Sequence, residues 1–235
     1  MKNYLEQLYS NWKKLYLDAS MRNQVFVIVL LYIFLFKYCR VVMMGLEARQ
    51  GTQVNDYLLH LLPSYDCSVI TFLFTYAALA TFVISSIRYP KIFTIWLQGY
   101  CLLIVMRTIA IFLVPLEPPI GMILLEDPVT ILFMSRPGGG YIVKDLFFSG
   151  HVSAIVLFYL VSKNQIVKKI LLALALIVSA LLLIQHVHYT IDVIAAPFFA
   201  FVAYKTSVFV NKIIHQDAAD DLIKEEPSVV TVQNR

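Results

Sequence analysis

The chain has 235 residues, of which 60% are hydrophobic and 14% charged, with a formal net charge of +4. Soluble domains carry about a quarter charged residues, so this composition excludes an ordinary soluble enzyme and defines an all-α, polytopic membrane protein of one domain. The cations are spread as punctuation between apolar runs, which offers no nucleic-acid-binding face. Cys39, Cys67 and Cys101 are scattered without metal or redox spacing.

The opening segment, residues 1–22, is charged and amphipathic. It has neither the apolar region nor the cleavage site of a signal peptide, and is expected to be a cytoplasmic lead-in. Six transmembrane helices are then predicted, over residues 23–45, 67–87, 91–114, 147–163, 167–185 and 189–210, together forming one membrane domain, 23–210. "SIRYPK" and "SKNQIVKK" are the polar breaks between the second and third and between the fourth and fifth. Residues 211–235 are polar and read as a cytoplasmic, partly disordered tail.

An even number of spans places both termini on one side. That side collects Lys2, Lys13, Lys14, Arg22, Arg88, Lys91, Lys163, Lys168, Lys169, Lys205, Lys212, Lys224 and Arg235, against Arg49, Arg136 and Lys144 opposite. The positive-inside rule therefore makes the termini cytoplasmic. Lys37, Arg40 and Arg107 fall inside spans. Lys37 and Arg40 have either a snorkelling or a functional reading. Arg107 sits about 24 Å above Lys91 along an otherwise apolar helix, and a functional role is expected of it.

The remaining polar chemistry gathers on the exoplasmic side. "FFSGH" places Ser149, Gly150 and His151 where the fourth span enters the membrane, a helix start suited to an anion. "RPGGG" sets Arg136 beside glycines that let backbone approach a phosphate. In "QHVHYTID", His188 and Asp192 stand four apart, a spacing that puts them on one helical face with the carboxylate orienting the imidazole. His186, two residues earlier, points elsewhere and reads as an interfacial histidine. Two histidines on separate helices, one oriented by an aspartate and both near cations, suit a two-step displacement at phosphorus. The ligands are too few for a metal site, and no cofactor is called for.

These residues resemble the phosphatidic acid phosphatase type 2 superfamily, and within it the sphingomyelin synthase branch. "KDLFFSGH", with Asp145 in the acidic position, and "HVHYTID" match that branch's two histidine motifs, and "MRTIAIFLVPLEP" resembles its arginine motif through Arg107. The superfamily's phosphatases carry a lysine where this chain has Val129 and an arginine where it has Leu182, which counts against simple phosphatase activity. The compact size is similar to a bacterial relative.

The resemblance implies a lipid phosphotransferase moving a phospho-head group from a glycerophospholipid to a lipid alcohol, ceramide or diacylglycerol, through a phosphohistidine. A phosphatase or phospholipase C-type hydrolase on the same scaffold is the alternative. It implies His188, activated by Asp192, as nucleophile and His151 as acid and then base. Asp145, Ser149 and Gly150 would support them, and Arg107, Arg136 and Lys144 would hold the phosphate or head group. The expected partners are membrane lipids on the exoplasmic side, periplasmic or luminal.

Overall fold

The computed structural model describes residues 2–126 and 142–214. Eight helices account for most of them: α1 (Lys2–Leu17), α2 (Ala19–Glu47), α3 (Tyr57–Leu61), α4 (Ser68–Ser86), α5 (Pro90–Leu113), α6 (Gly150–Val161), α7 (Gln165–Ile184) and α8 (Thr190–Ile214). No strand occurs among the described residues; a single parallel bridge joins Thr52 to Leu116. Gly51 permits that approach, since a β-carbon there would lie 2.6 Å from the Leu116 carbonyl carbon.

Five of the helices, α2, α4, α5, α7 and α8, are long and apolar enough to cross a membrane. Each satisfies its backbone internally, as hydrocarbon demands. Two of them, α2 and α7, are started by a short polar side chain. Asp18 accepts from the amides of Ser20 and Met21 at the head of α2, and Asn164 accepts from Ile166 and Val167 at the head of α7. Asp18 also separates α2 from α1. The amphipathic α1 docks on the α4–α5 turn through Trp12 Nε1, which donates to the Ile87 carbonyl at 2.8 Å.

The fourth predicted span differs. Within residues 147–163 only the 12 residues of α6 are helical, about 18 Å against a hydrocarbon layer of about 30 Å. Phe147, Phe148 and Ser149 are apolar or small enough to read as helix, yet they lie before the helix start, with Phe148 and Ser149 fully buried. Phe148 stacks on Phe199 with ring centroids 4.0 Å apart. The short helix is central, packed by α4, α5, α7 and α8.

Burial of apolar surface does little to drive association in lipid, so close packing must. On α8, Ala196, Ala200, Ala203 and Ser207 recur at helical spacing and are each fully buried. This small-residue seam brings α5 and α6 close to α8, and Ser207 Oγ donates across it to the Ile95 carbonyl at 2.9 Å.

Candidate active site

The C-terminal end of α5, the N-terminal ends of α6 and α8 and the segment before α6 meet at one end of the bundle. Arg107, in the last two turns of α5, meets Asp145 there. Its Nε and Nη2 reach Asp145 Oδ1 at 3.0 and 2.8 Å, and Nη2 also donates to the Asp145 carbonyl at 2.9 Å. Pairing makes a guanidinium tolerable at that depth. Arg107 Nη1 is buried and has no acceptor among the described residues.

The guanidinium rests on Gly150, where a β-carbon would stand 3.2 Å from Arg107 Cζ. His151 follows, edge-on to Phe72 with ring centroids 5.8 Å apart. Arg107, Asp145, Gly150 and His151 line one cavity of about 530 Å³ between α2, α4, α5 and α6. Ser149 begins α6 in an extended conformation without capping it through its side chain, and its Oγ is buried with no partner among the described residues.

Ser149 joins this wall to the second histidine motif, its amide donating to the Asp192 carbonyl at 3.0 Å. His188 and Asp192 are 3% and 0% exposed, and His188 Nδ1 faces Asp192 Oδ2 at 3.4 Å. The pair forms as expected, but not on a helical face: His188 precedes α8. Asp192, in the first turn, reaches back over the helix end and also accepts from the Tyr189 amide at 2.9 Å, as the third residue of a capping box does. Asp192 Oδ1 is buried and unpartnered among the described residues. Nδ1 is directed at the carboxylate, which leaves Nε2 as the other ring nitrogen; His188 is not among the residues lining the cavity.

The other expected residues are placed as follows. Lys144 gives its ammonium to Glu117 and to the Arg49 carbonyl, both at 2.7 Å, and is outside the cavity lining. Together with the Gly51 amide it holds the Glu117 carboxyl below the usual range. His186 sits at a positive φ of 55°, its ring nitrogens 3.0 Å from the Ile120 carbonyl and 3.1 Å from that of Leu62, so it ties loops rather than facing the cavity. Lys37 is exposed on α2. Arg136, Val129 and the side chain of Arg40 lie outside the described residues.

Three positions escaped the sequence reading. Asp56 caps α3 through the Leu58 and Leu59 amides and grips the start of α8 through the Thr190 amide, 2.6 Å, and hydroxyl, 2.8 Å. Glu47, at the end of α2, accepts from the amides of Val143 and Lys144, each at 3.2 Å, and so positions the segment carrying Asp145. Gln185 is fully buried at the turn after α7 and donates to Ser68 Oγ at 2.8 Å while accepting from the Cys67 amide. An Asp one residue before a helical run is a capping signal that marks Asp56 as the head of α3; its tie to Thr190, 134 residues away, leaves no local trace.

A helical membrane bundle with paired cation, histidine and buried carboxylate at one end is the class of protein that fold and site define. Residues 144–209 match the family model described as PAP2 superfamily C-terminal. The matched stretch contains Asp145, Ser149, His151, His188 and Asp192. Over that stretch the chain is similar to the C-terminal part of the phosphatidic acid phosphatase type 2 superfamily. No curated protein and no solved structure gave a match.

Proposed function

We propose that the protein transfers a phospho-head group from a glycerophospholipid to a lipid alcohol, in the manner of the sphingomyelin synthase branch. The observation carrying this reading is Arg107: a guanidinium fixed by Asp145 against Gly150, with one buried donor unspent, at the wall of a cavity that His151 shares. An anionic oxygen satisfies that donor, and the cavity beyond suits a lipid.

In the first step His188 Nε2 attacks phosphorus, with Asp192 stabilising the cation that forms. The bond from phosphorus to the diacylglycerol oxygen breaks and His151 supplies that oxygen's proton. In the second step His151 takes the proton of the acceptor hydroxyl, the new phosphorus–oxygen bond forms and the bond to nitrogen breaks. Arg107, and Arg136 beside its run of glycines in the sequence, neutralise the phosphate oxygens. Lys144 contributes through Glu117 to the shape of the head-group side. The charge asymmetry of the sequence supports cytoplasmic termini and, with six crossings, an exoplasmic position for this end of the bundle.

The test uses purified protein in vesicles holding phospholipids of several head groups and a fluorescent ceramide or diacylglycerol. A labelled phospholipid or sphingolipid product, lost in His188→Ala, is the expected result. Release of phosphate or phosphoalcohol without a labelled lipid makes water the acceptor and the protein a hydrolase.

A further inference from the structure

We infer that the cavity holds one hydrocarbon chain of the lipid substrate and that Trp96 is the stop that sets how long that chain can be. The inference rests on the reading of the substrate as a lipid and adds to it a chain-binding site and a residue that selects by length.

The cavity is charged at one end only. From Arg107, Gly150 and His151 its lining descends α5 and α6 to Trp96 and Phe158. Along α5, Arg107 and Trp96 are about 16 Å apart, and along α6, Gly150 and Phe158 are about 12 Å apart, at 1.5 Å per residue. The walls between include Leu79, Leu103, Ile104 and Ile155, with the hydroxyls of Thr75 and Ser153 spent on carbonyls of their own helices and Tyr32 and Tyr100 presenting rings. Such walls accept methylenes and would strand the polar groups of a sugar or peptide.

The deep end is closed by an aromatic interlock. Phe82, fully buried, lies 4.8 Å from Phe158 and 5.4 Å from Trp96 between ring centroids, and Phe158 and Trp96 are 6.0 Å apart. Phe93 backs Trp96 edge-on at 6.0 Å. Rings held on several sides make a rigid stop. Trp96 Nε1 has no acceptor among the described residues, so packing alone holds the indole and its removal breaks no hydrogen bond.

The opening is lateral. Tyr76 and Leu79 of α4 line the cavity and are 40% and 37% exposed, so the cavity is open where they stand. The opposite lip is α2, whose extensive packing is with α5 and α1. A chain passing between α2 and α4 reaches the charged end without leaving hydrocarbon.

The experiment places full-length wild type, Trp96→Phe and Trp96→Ala in vesicles containing an equimolar series of phosphatidic acids with matched saturated chains of increasing length. Lipids retained after mild detergent extraction are quantified by mass spectrometry, and turnover of the proposed donor is followed in a parallel chain-length series. The wild type is expected to discriminate against the longer chains. Trp96→Ala should shift retention and turnover toward them, by up to about fourfold per methylene newly accommodated, with Trp96→Phe between. Identical length profiles in all three proteins overturn the inference. A retention shift without turnover by any of the three keeps the chain site and defeats phosphotransfer instead. Should Trp96→Ala fail to fold, the sign of the Trp96→Phe shift decides.

Discussion

The guanidinium of Arg107 lies against the backbone of Gly150, so close that a methyl group on Gly150 would stand 3.2 Å from Cζ and 3.4 Å from Nε and Nη1. The catalytic use proposed for Arg107 thus depends on a missing side chain one residue before His151.

Gly150→Ala is accordingly expected to separate stability from activity. Alanine gains up to about 1 kcal/mol over glycine within a helix, and somewhat less in a first turn. The methyl group displaces the guanidinium by a few tenths of an ångström. Unfolding temperature should hold or rise while turnover falls about tenfold or more. Equal turnover in the variant would remove Arg107's position from the mechanism.

Replacing Arg107 itself probes the same contact from the other side. Lysine keeps the charge but cannot engage Asp145 through two nitrogens while presenting a third donor. Arg107→Lys should lose turnover by about 10²–10³-fold, and Asp145→Asn by less, since Arg107 keeps the Asp145 carbonyl. Steady-state assay of both variants, with unfolding curves to establish that they fold, gives the ranking.

Asp192→Asn retains an oxygen for the Tyr189 amide, so the start of α8 should survive. The same oxygen, Oδ2, faces both the Tyr189 amide and His188 Nδ1, so it is not the hydrogen bond but the negative charge stabilising the imidazolium that is lost. The amide nitrogen takes the buried, unpartnered place of Oδ1. A fall of about 10⁴-fold is expected, as when a catalytic aspartate that orients a histidine becomes asparagine. His188→Ala should abolish turnover. His151→Ala should cut it severely while leaving the phospho-head group trapped on His188, detectable by mass spectrometry of the intact chain. Turnover by His188→Ala at the wild-type rate would end the nucleophile assignment.

Asp56 gives a pH dependence. Burial pushes its carboxyl up, but hydrogen bonds from the Thr190 amide and hydroxyl and from the Leu59 and Leu58 amides outweigh burial and hold it below the ordinary range. A depressed carboxyl contributes stability that is fully present above its unfolded value, about 3.9, and is lost as pH falls through the folded value. Unfolding temperature in detergent should therefore drop more steeply with acid below about pH 4 in wild type than in Asp56→Asn. Parallel acid profiles would assign the grip on Thr190 to geometry rather than charge.

What was legible in the sequence followed from locality. The long helices announced themselves through apolar runs near the length a bilayer requires. Arg107 stood out because a cation inside such a run needs a reason. His188 and Asp192 were legible as a pair by spacing, although they meet across a helix end instead of along a face. The true length of α6 was hidden because Phe147 and Phe148 satisfy a hydropathy reading equally well as helix or as buried extended chain. The Arg107–Asp145 pair, the Asp56 grip and the Lys144–Glu117 bond join distant segments, and nothing in a local pattern encodes which loop folds over which helix end.

The shortness of α6 has a consequence for the bilayer itself. Its sequence neighbour α7 rises about 30 Å and α6 only about 18 Å, so the floor on which Gly150 and His151 sit is countersunk by about 12 Å relative to the rim. On the proposed function, a lipid whose phosphate meets Arg107 is drawn that far below its neighbours; thinner membranes then shorten the plunge, and turnover is expected to depend on bilayer thickness.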